Sequence, residues 1–238
     1  MQDCSNTKNT KSTSSEKPKC ELCHDLQMIE QEDGRYKFCE CYTREQNEKR
    51  INRSGMRKSF IRYTFDNFIV GDKATSEAKK QAISYAEKTP AEGLIMTGRS
   101  GTGKTHLCTA ICNRLIYHHG KEVLYTMYLD LIDEIKQYAT EPTERVKAIN
   151  KYKNIEILYI DDLYKKKRSD ADIAIVYEII NHRNLNDKTT IITTEASLKE
   201  LLSIDEATAG RIFEHCDKNI IKLETTNKRI YKTEKENE

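Results

Sequence analysis

Residues 98–105 fit the pattern G-x-x-x-x-G-K-[ST], and their surroundings suit it. An apolar stretch from Leu94 to Thr97 precedes them, and Leu107, Ile111 and Leu115 follow at the spacing of one helix face. A strand, a glycine-rich turn and a helix in this order form a phosphate-binding loop, because backbone N–H groups and the helix N-terminus attract anions. A chance glycine turn would lack this context. We therefore expect a P-loop α/β fold.

The residues of this loop have separate expected roles. Lys104 would reach the β- and γ-phosphates of a nucleotide, and the hydroxyl of Thr105 would bind Mg²⁺. The predicted nucleotide contacts, which include these two, are Gly98, Arg99, Ser100, Gly101, Thr102, Gly103, Lys104 and Thr105.

Two carboxylates follow a later apolar stretch, Ile157 to Ile160. Asp161 is the expected Mg²⁺ ligand, and Asp162 would position or deprotonate the attacking water. Asp162 is one methylene shorter than a glutamate would be, which reduces its reach to the water. The alternative is a solvated Asp-Asp turn, which the loop upstream disfavours.

Apolar stretches alternate with helical segments from about residue 64 onward. This alternation predicts a parallel five-stranded sheet with helices on both faces. Charged residues make up 33 % of the chain, and no apolar run approaches the roughly 18 residues of a membrane span. The first 15 residues lack an apolar segment, so we expect no secretory signal, no membrane contact and a cytoplasmic location.

Four cysteines form two close pairs, Cys20-x-x-Cys23 and Cys39-x-Cys41, separated by fifteen residues. Thiolates in two pairs suit tetrahedral Zn²⁺, and residues 30–34 fit a turn between the pairs. A segment of this size has too small a core to fold alone, so zinc would supply folding energy. Incidental reduced thiols and an iron–sulfur cluster are the alternatives.

The stretch Ile191 to Thr194 ends at Glu195 and is predicted to form another strand. Its end would lie beside the two acids, where Thr194 or Glu195 could sense the nucleotide. The alternative is a helix N-cap at Thr194 or Ser197. Downstream of Asp162, the basic run 165–168 is either a solvated loop or a contact to a nucleic-acid backbone.

These motifs together resemble the AAA+ ATPases, and more narrowly the DnaC/DnaI-type helicase loaders of bacteria and phages. The resemblance covers about residues 19–232. It rests on the stretches YTFDNF (63–68), GRSGTGKTHL (98–107), ILYIDDLY (157–164), IITTE (191–195), GRIFE (210–214) and NKRIY (227–231).

The resemblance implies an ATPase that hydrolyses ATP and delivers or remodels a hexameric replicative helicase on single-stranded DNA. It implies that His106 belongs to the nucleotide site, that Arg211 is an arginine finger for a neighbouring subunit, and that the chain self-associates through that face. The family often has Asn where Glu195 stands, so Thr194 is the alternative sensing group. The short C-terminus favours a lidless domain.

The expected organisation is a disordered tail (1–18), a zinc module (19–43), a basic connector (44–62), an AAA+ domain (63–232) and a C-terminal tail (233–238). Two other functions remain open. One is an IstB-type ATPase that assists a transposase, which the cysteine cluster disfavours. The other is an ATP-binding assembly module with little turnover.

Overall fold

Five apolar strands form one parallel sheet in the computed structural model, which describes residues 18–88, 91–166 and 169–225. After a short N-terminal pair, β1 (Met28–Glu30) and β2 (Tyr36–Phe38), the sheet strands follow in sequence. They are β3 (Leu94–Gly98), β4 (Val123–Met127), β5 (Ile157–Asp161), β6 (Thr190–Thr194) and β7 (Ile220–Leu223). Their spatial order is β4-β5-β6-β3-β7, and each neighbouring pair is parallel. The predicted five-stranded parallel fold is confirmed, with β3 internal and beside the central strand β6.

Helices cover both faces of this sheet because successive strand side chains point to opposite sides. Leu94 and Met96 lie in one apolar cluster, and Ile95 lies in the other. The first face packs against α3 (Lys73–Glu87) and α4 (Lys104–His119). The second packs against α5 (Tyr128–Lys136), α6 (Pro142–Asn154), α7 (Asp170–Leu185), α8 (Leu198–Ile204) and α9 (Glu206–Cys216).

A fully buried arginine joins α6, α7 and the sheet. Arg183 of α7 has no exposed surface. Its guanidinium donates to the Thr190 hydroxyl and to the backbone carbonyls of Tyr152, Lys153, Ile155, Glu156 and Thr189. These carbonyls include the unpaired C-terminal end of α6, which a cation stabilises. The helical segment between β4 and β5 is therefore fixed to the sheet.

The chain divides into two units, Met1–Gln46 and Asn47–Glu238. In the first, β1 and β2 pair antiparallel around a turn at Gly34, whose φ is 79°. The unit boundary lies within the predicted connector 44–62, where α1 (Glu40–Arg53) and α2 (Arg57–Arg62) are interrupted near Gly55, as predicted.

Several sequence expectations fall outside the described residues. They concern positions 1–17 of the tail, Lys167 and Arg168 of the basic run, the closing stretch 227–231 and the tail 233–238. Among the described residues, every helix is too short or too polar to cross a lipid bilayer.

Candidate nucleotide-binding site

A cavity of about 380 Å³ lies at the carboxyl end of the sheet, where parallel α/β folds bind ligands. Three groups of residues line it. The phosphate loop and the start of α4 supply Ser100, Gly101 and residues 103–106, and the segment before α3 supplies residues 62–63 and 67–69. The ends of β5 and β6, with the loop after β5, supply Asp162, Glu195 and Lys165.

The phosphate loop depends on glycine where α4 begins. Gly103 is the N-cap of α4 and has a φ of 107°. A Cβ at this position would lie 2.8 Å from the Phe68 ring, so a larger residue would need a shift of backbone or ring. Glycine at this position therefore lets the loop backbone lie close to the Phe68 ring at the edge of the cavity.

Lys104 is buried beneath the loop rather than extended into solvent. Its ammonium donates to the carbonyls of Gly98 and Arg99, at 2.7 and 2.9 Å. Burial lowers the pKa of Lys104, and the nearby carboxylates of Asp162 and Glu195 oppose that shift. The two hydrogen bonds therefore hold the ammonium beside the space that phosphates would occupy.

Asp161 is buried at the end of β5 and accepts hydrogen bonds from several hydroxyls. Thr105 donates to Oδ1 at 3.1 Å, Tyr159 donates to Oδ1 at 3.0 Å, and Tyr125 donates to Oδ2 at 3.3 Å. Burial and the Asp161 charge raise the pKa of both tyrosines, so these phenols remain protonated donors. The contact with Thr105 brings together the two residues predicted to bind Mg²⁺.

Thr193 of β6 also contacts both acids, a contact that was not among the sequence predictions. Its hydroxyl donates to Oδ1 of Asp161 and accepts the backbone N–H of Asp162 at 2.8 Å. The contact fixes the start of the loop after β5. The only signal in the sequence was a run of threonines at the end of an apolar strand.

Asp162 and Glu195 share a cation. The ammonium of Lys165 lies 2.7 Å from Oδ2 of Asp162 and 3.2 Å from Oε1 of Glu195, and all three side chains line the cavity. The hydrogen bond from Lys165 to Asp162 raises the pKa of the lysine. Glu195, one of the two predicted sensing residues, is therefore paired with a cation.

Thr194 lies one residue before Glu195 and is fully buried. Its hydroxyl donates to the Leu163 carbonyl at 2.9 Å and accepts the N–H of Ala196 at 3.1 Å. The N-cap of α8 is Ser197, which forms a capping box with Glu200. Thr194 thus holds the loop after β5, and its role in sensing stays a prediction.

His106 faces the segment before α3. Its Nε2 lies 2.8 Å from the Thr64 carbonyl and 3.0 Å from Oδ1 of Asn67. The rings of Tyr63 and Phe68 pack against its imidazole, with centroids 4.8 and 5.1 Å away. These aromatic groups form one wall of the cavity.

Arg211 lies on α9 and is not among the residues that line the cavity. Its guanidinium pairs with Glu214 at 2.8 Å, and Asn184 donates to the same carboxylate oxygen. Arg211 is thus paired on its own surface in the single chain, and its role as an arginine finger stays a prediction.

The four clustered cysteines of the N-terminal unit come together. All four sulfur atoms lie within 4.8 Å of one another, with Cys20–Cys39 at 3.7 Å and Cys23–Cys41 at 3.4 Å. Zn–S bonds of about 2.3 Å in a tetrahedron place sulfurs about 3.8 Å apart. Backbone N–H groups of Cys23 and Leu22 lower the pKa of Cys20 to about 7. The hydrogen bond between the thiols of Cys41 and Cys23 raises the pKa of Cys41. A cation would offset the crowding of four thiolates, so the cluster could hold a zinc ion.

The β4-β5-β6-β3-β7 sheet, the phosphate loop and the acids beside Thr105 define an ATP-binding domain of the AAA+ class. A sequence profile described as "IstB-like ATP binding protein" matches residues 11–234, and the chain belongs to that family.

Two curated relatives and one solved structure agree with this assignment. The uncharacterised protein YqaM of Bacillus subtilis is 30 % identical over 84 % of this chain and 67 % of its own length. The replicative helicase loader DnaC of Escherichia coli is 28 % identical over 66 % of this chain and 65 % of its own length. The chain thus spans about two thirds of each relative. A crystal structure of the DnaC helicase loader superimposes with a TM-score of 0.63 at 24 % identity, covering 69 % of this chain and 98 % of that one, which shows a shared fold.

Proposed function

We propose that this protein is an ATPase that delivers or remodels a hexameric replicative helicase on single-stranded DNA. The observation that carries the proposal is the meeting of Lys104, Thr105 and Asp162 at one cavity, with Asp161 hydrogen-bonded to Thr105 behind it. The loader role rests on the similarity to DnaC.

In the proposed reaction, the phosphate loop and Lys104 bind the triphosphate. Bound Mg²⁺, held by Thr105 and Asp161, would neutralise phosphate charge. Asp162 orients a water molecule and accepts its proton as the water oxygen attacks the γ-phosphorus. The bond between that phosphorus and the bridging oxygen breaks, and ADP and phosphate leave.

Three further parts of the proposal concern the N-terminal unit, neighbouring copies of the chain and DNA. A zinc ion on Cys20, Cys23, Cys39 and Cys41 would stabilise the N-terminal unit. Arg211 would leave Glu214 and contact ATP bound to a neighbouring copy. Single-stranded DNA would bind the assembled loader.

Co-purification with the replicative helicase of the same cell tests the loader role. We expect the helicase to be retained by the tagged full chain, with a difference between ATP and ADP. Lys104→Ala should remove that difference, because it would no longer bind the triphosphate. ATP turnover should be measured in parallel, with and without single-stranded DNA.

Two outcomes would contradict the proposal. Capture of a transposase in place of the helicase would favour the IstB-type role. Stable ATP binding without multiple turnover, even with helicase and single-stranded DNA present, would instead indicate an assembly module.

A further inference from the structure

Lys165 occupies an unusual position in the cavity. Its ammonium bridges Asp162 and Glu195, at 2.7 and 3.2 Å. Its side chain is 39 % exposed, so the ammonium can reach solvent and exchange partners. Of the two acids, one is the proposed proton acceptor and the other stands at the sensor position.

The loop that presents Lys165 is anchored on both sides. The Leu163 N–H donates to the Thr193 carbonyl at 2.8 Å, and Thr194 donates to the Leu163 carbonyl. Tyr164 is buried edge-on against Tyr128, with ring centroids 5.6 Å apart. Because Leu163 and Tyr164 are held in the core, the next residue is directed to the cavity.

The backbone of this loop has a conformation that non-glycine residues rarely adopt. Asp162, Tyr164 and Lys166 have φ values of 57°, 57° and 74°. These three residues alternate along the chain with Leu163 and Lys165. The five residues therefore direct some side chains into the core and others toward the cavity. The position of Lys165 is thus a property of the folded loop.

The carboxylates of Asp162 and Glu195 require a cation beside them when a triphosphate binds. A terminal phosphate next to Asp162 and Glu195 would meet two negative side chains, and like charges disfavour binding. Lys104 approaches the phosphates from the side of the loop, where it donates to the carbonyls of Gly98 and Arg99. Lys165 is the cation that pairs with both acids, and its flexible ammonium suits a phosphate oxygen.

We propose that Lys165 is a γ-phosphate-sensing residue that switches partners. Without a γ-phosphate it pairs with Asp162 and Glu195, and it occupies the carboxylate oxygen that would accept a proton from water. With ATP bound, the ammonium moves to a γ-phosphate oxygen and frees Asp162. This inference rests on the proposed function, because it assigns a regulatory contact within the same site.

Nucleotide affinity tests the switch without depending on turnover. The full-length protein is titrated with ADP and with a non-hydrolysable ATP analogue, both with Mg²⁺. Lys165→Met should weaken binding of the analogue by about tenfold, the value of one charge-assisted hydrogen bond. ADP affinity should stay unchanged. Lys165→Arg should keep most of the preference for the triphosphate.

A matched control is available at the next position. Lys166 is exposed and does not line the cavity, so Lys166→Met removes the same charge without the same contact. It should leave both affinities unchanged. Adding Glu195→Gln to Lys165→Met should restore part of the lost affinity, because it removes one repulsive charge.

An unchanged ratio of analogue to ADP affinity in Lys165→Met would overturn the inference. So would an equal loss in Lys166→Met, or no recovery in the double variant. Wild-type protein that binds both nucleotides but never turns over would contradict the ATPase proposal alone. The ratio of analogue affinity to ADP affinity in Lys165→Met would still test the role of Lys165.

Discussion

Thr105 and Asp161 are 56 residues apart in the chain, and the Thr105 hydroxyl donates a 3.1 Å hydrogen bond to Oδ1 of Asp161. Thr105 is the second residue of α4, which follows β3 and the phosphate loop. Asp161 is the last residue of β5, which lies two places from β3 in the sheet. The contact places two oxygen ligands of the kind Mg²⁺ prefers side by side.

We predict that Thr105→Val weakens Mg²⁺-dependent ATP binding by about tenfold, because one oxygen ligand is lost with little change in volume. Binding in EDTA should not change. Thr109→Val is the control, since the hydroxyl of Thr109, one turn further along α4, is buried and makes no hydrogen bond within the described residues. Fluorescent-nucleotide titrations measure both. Equal effects of the two variants would exclude a metal role for Thr105.

Lys104→Ala and Asp162→Asn should separate binding from chemistry. Removal of the Lys104 ammonium should weaken ATP binding and abolish turnover, because it acts on phosphate charge in both ground and transition states. Asp162→Asn should keep ATP binding and slow hydrolysis by about 10²–10⁴-fold, the usual contribution of a general base. Titration and steady-state turnover provide the comparison. If both variants lost binding equally, the assigned roles would be wrong.

The cysteine cluster should bind one zinc ion per chain. Protein purified without chelator should contain about one equivalent of zinc by elemental analysis. Cys23→Ser should lose the metal, since a tetrahedral thiolate site needs all four ligands. Cys216→Ser should keep it, because Cys216 is buried in the other unit. Iron in place of zinc, or four freely titratable thiols in a folded unit, would refute the prediction.

Arg211→Ala should bind ATP normally and hydrolyse it poorly if the guanidinium acts on a neighbouring site. Mixing it with Lys104→Ala should restore turnover, because an intact ATP site then meets an intact arginine. Glu214→Gln removes the ion pair on the same surface and should remain active. A co-assembled mixture that stays inactive would show that Arg211 does not act in trans.

Loss of Arg183 should mainly affect stability. Arg183→Met leaves buried carbonyls of α6 and the sheet without their donor, at a cost of roughly 3 kcal/mol or more. Chemical denaturation should show this loss in the free energy of unfolding. ATP affinity of the protein that remains folded should be close to that of the wild type, since Arg183 does not line the cavity.

The strands and the phosphate loop were predictable because their signals are local. Apolar runs, their spacing and the glycines of 98–103 lie within short windows of sequence. The same applies to the paired cysteines and the break near Gly55. Helix N-caps were harder, and the choice between Thr194 and Ser197 depended on where β6 ended.

The contacts of Thr193, Lys165 and Arg183 were not predictable in this way. Thr193 reaches Asp161 through the pairing of β5 with β6, which no single segment specifies. Lys165 belongs to a basic run that is typical of a solvated loop. Arg183 lies in α7, and its carbonyl partners come from residues 27 to 31 positions earlier and 6 later.

The three left-handed residues after β5 also affect how this protein can be stabilised. Left-handed backbone costs about 1–2 kcal/mol for an ordinary residue, and glycine avoids most of that cost. Glycine at Lys166 would remove a residue whose side chain is exposed, whereas glycine at Asp162 or Tyr164 would remove a carboxylate or a core ring. The conformational cost can thus be removed at Lys166 without loss of a side chain that the site or the core uses. At Asp162 and Tyr164 it cannot. A search for more heat-resistant variants would gain from Lys166→Gly and would lose activity by extending the same change to its neighbours.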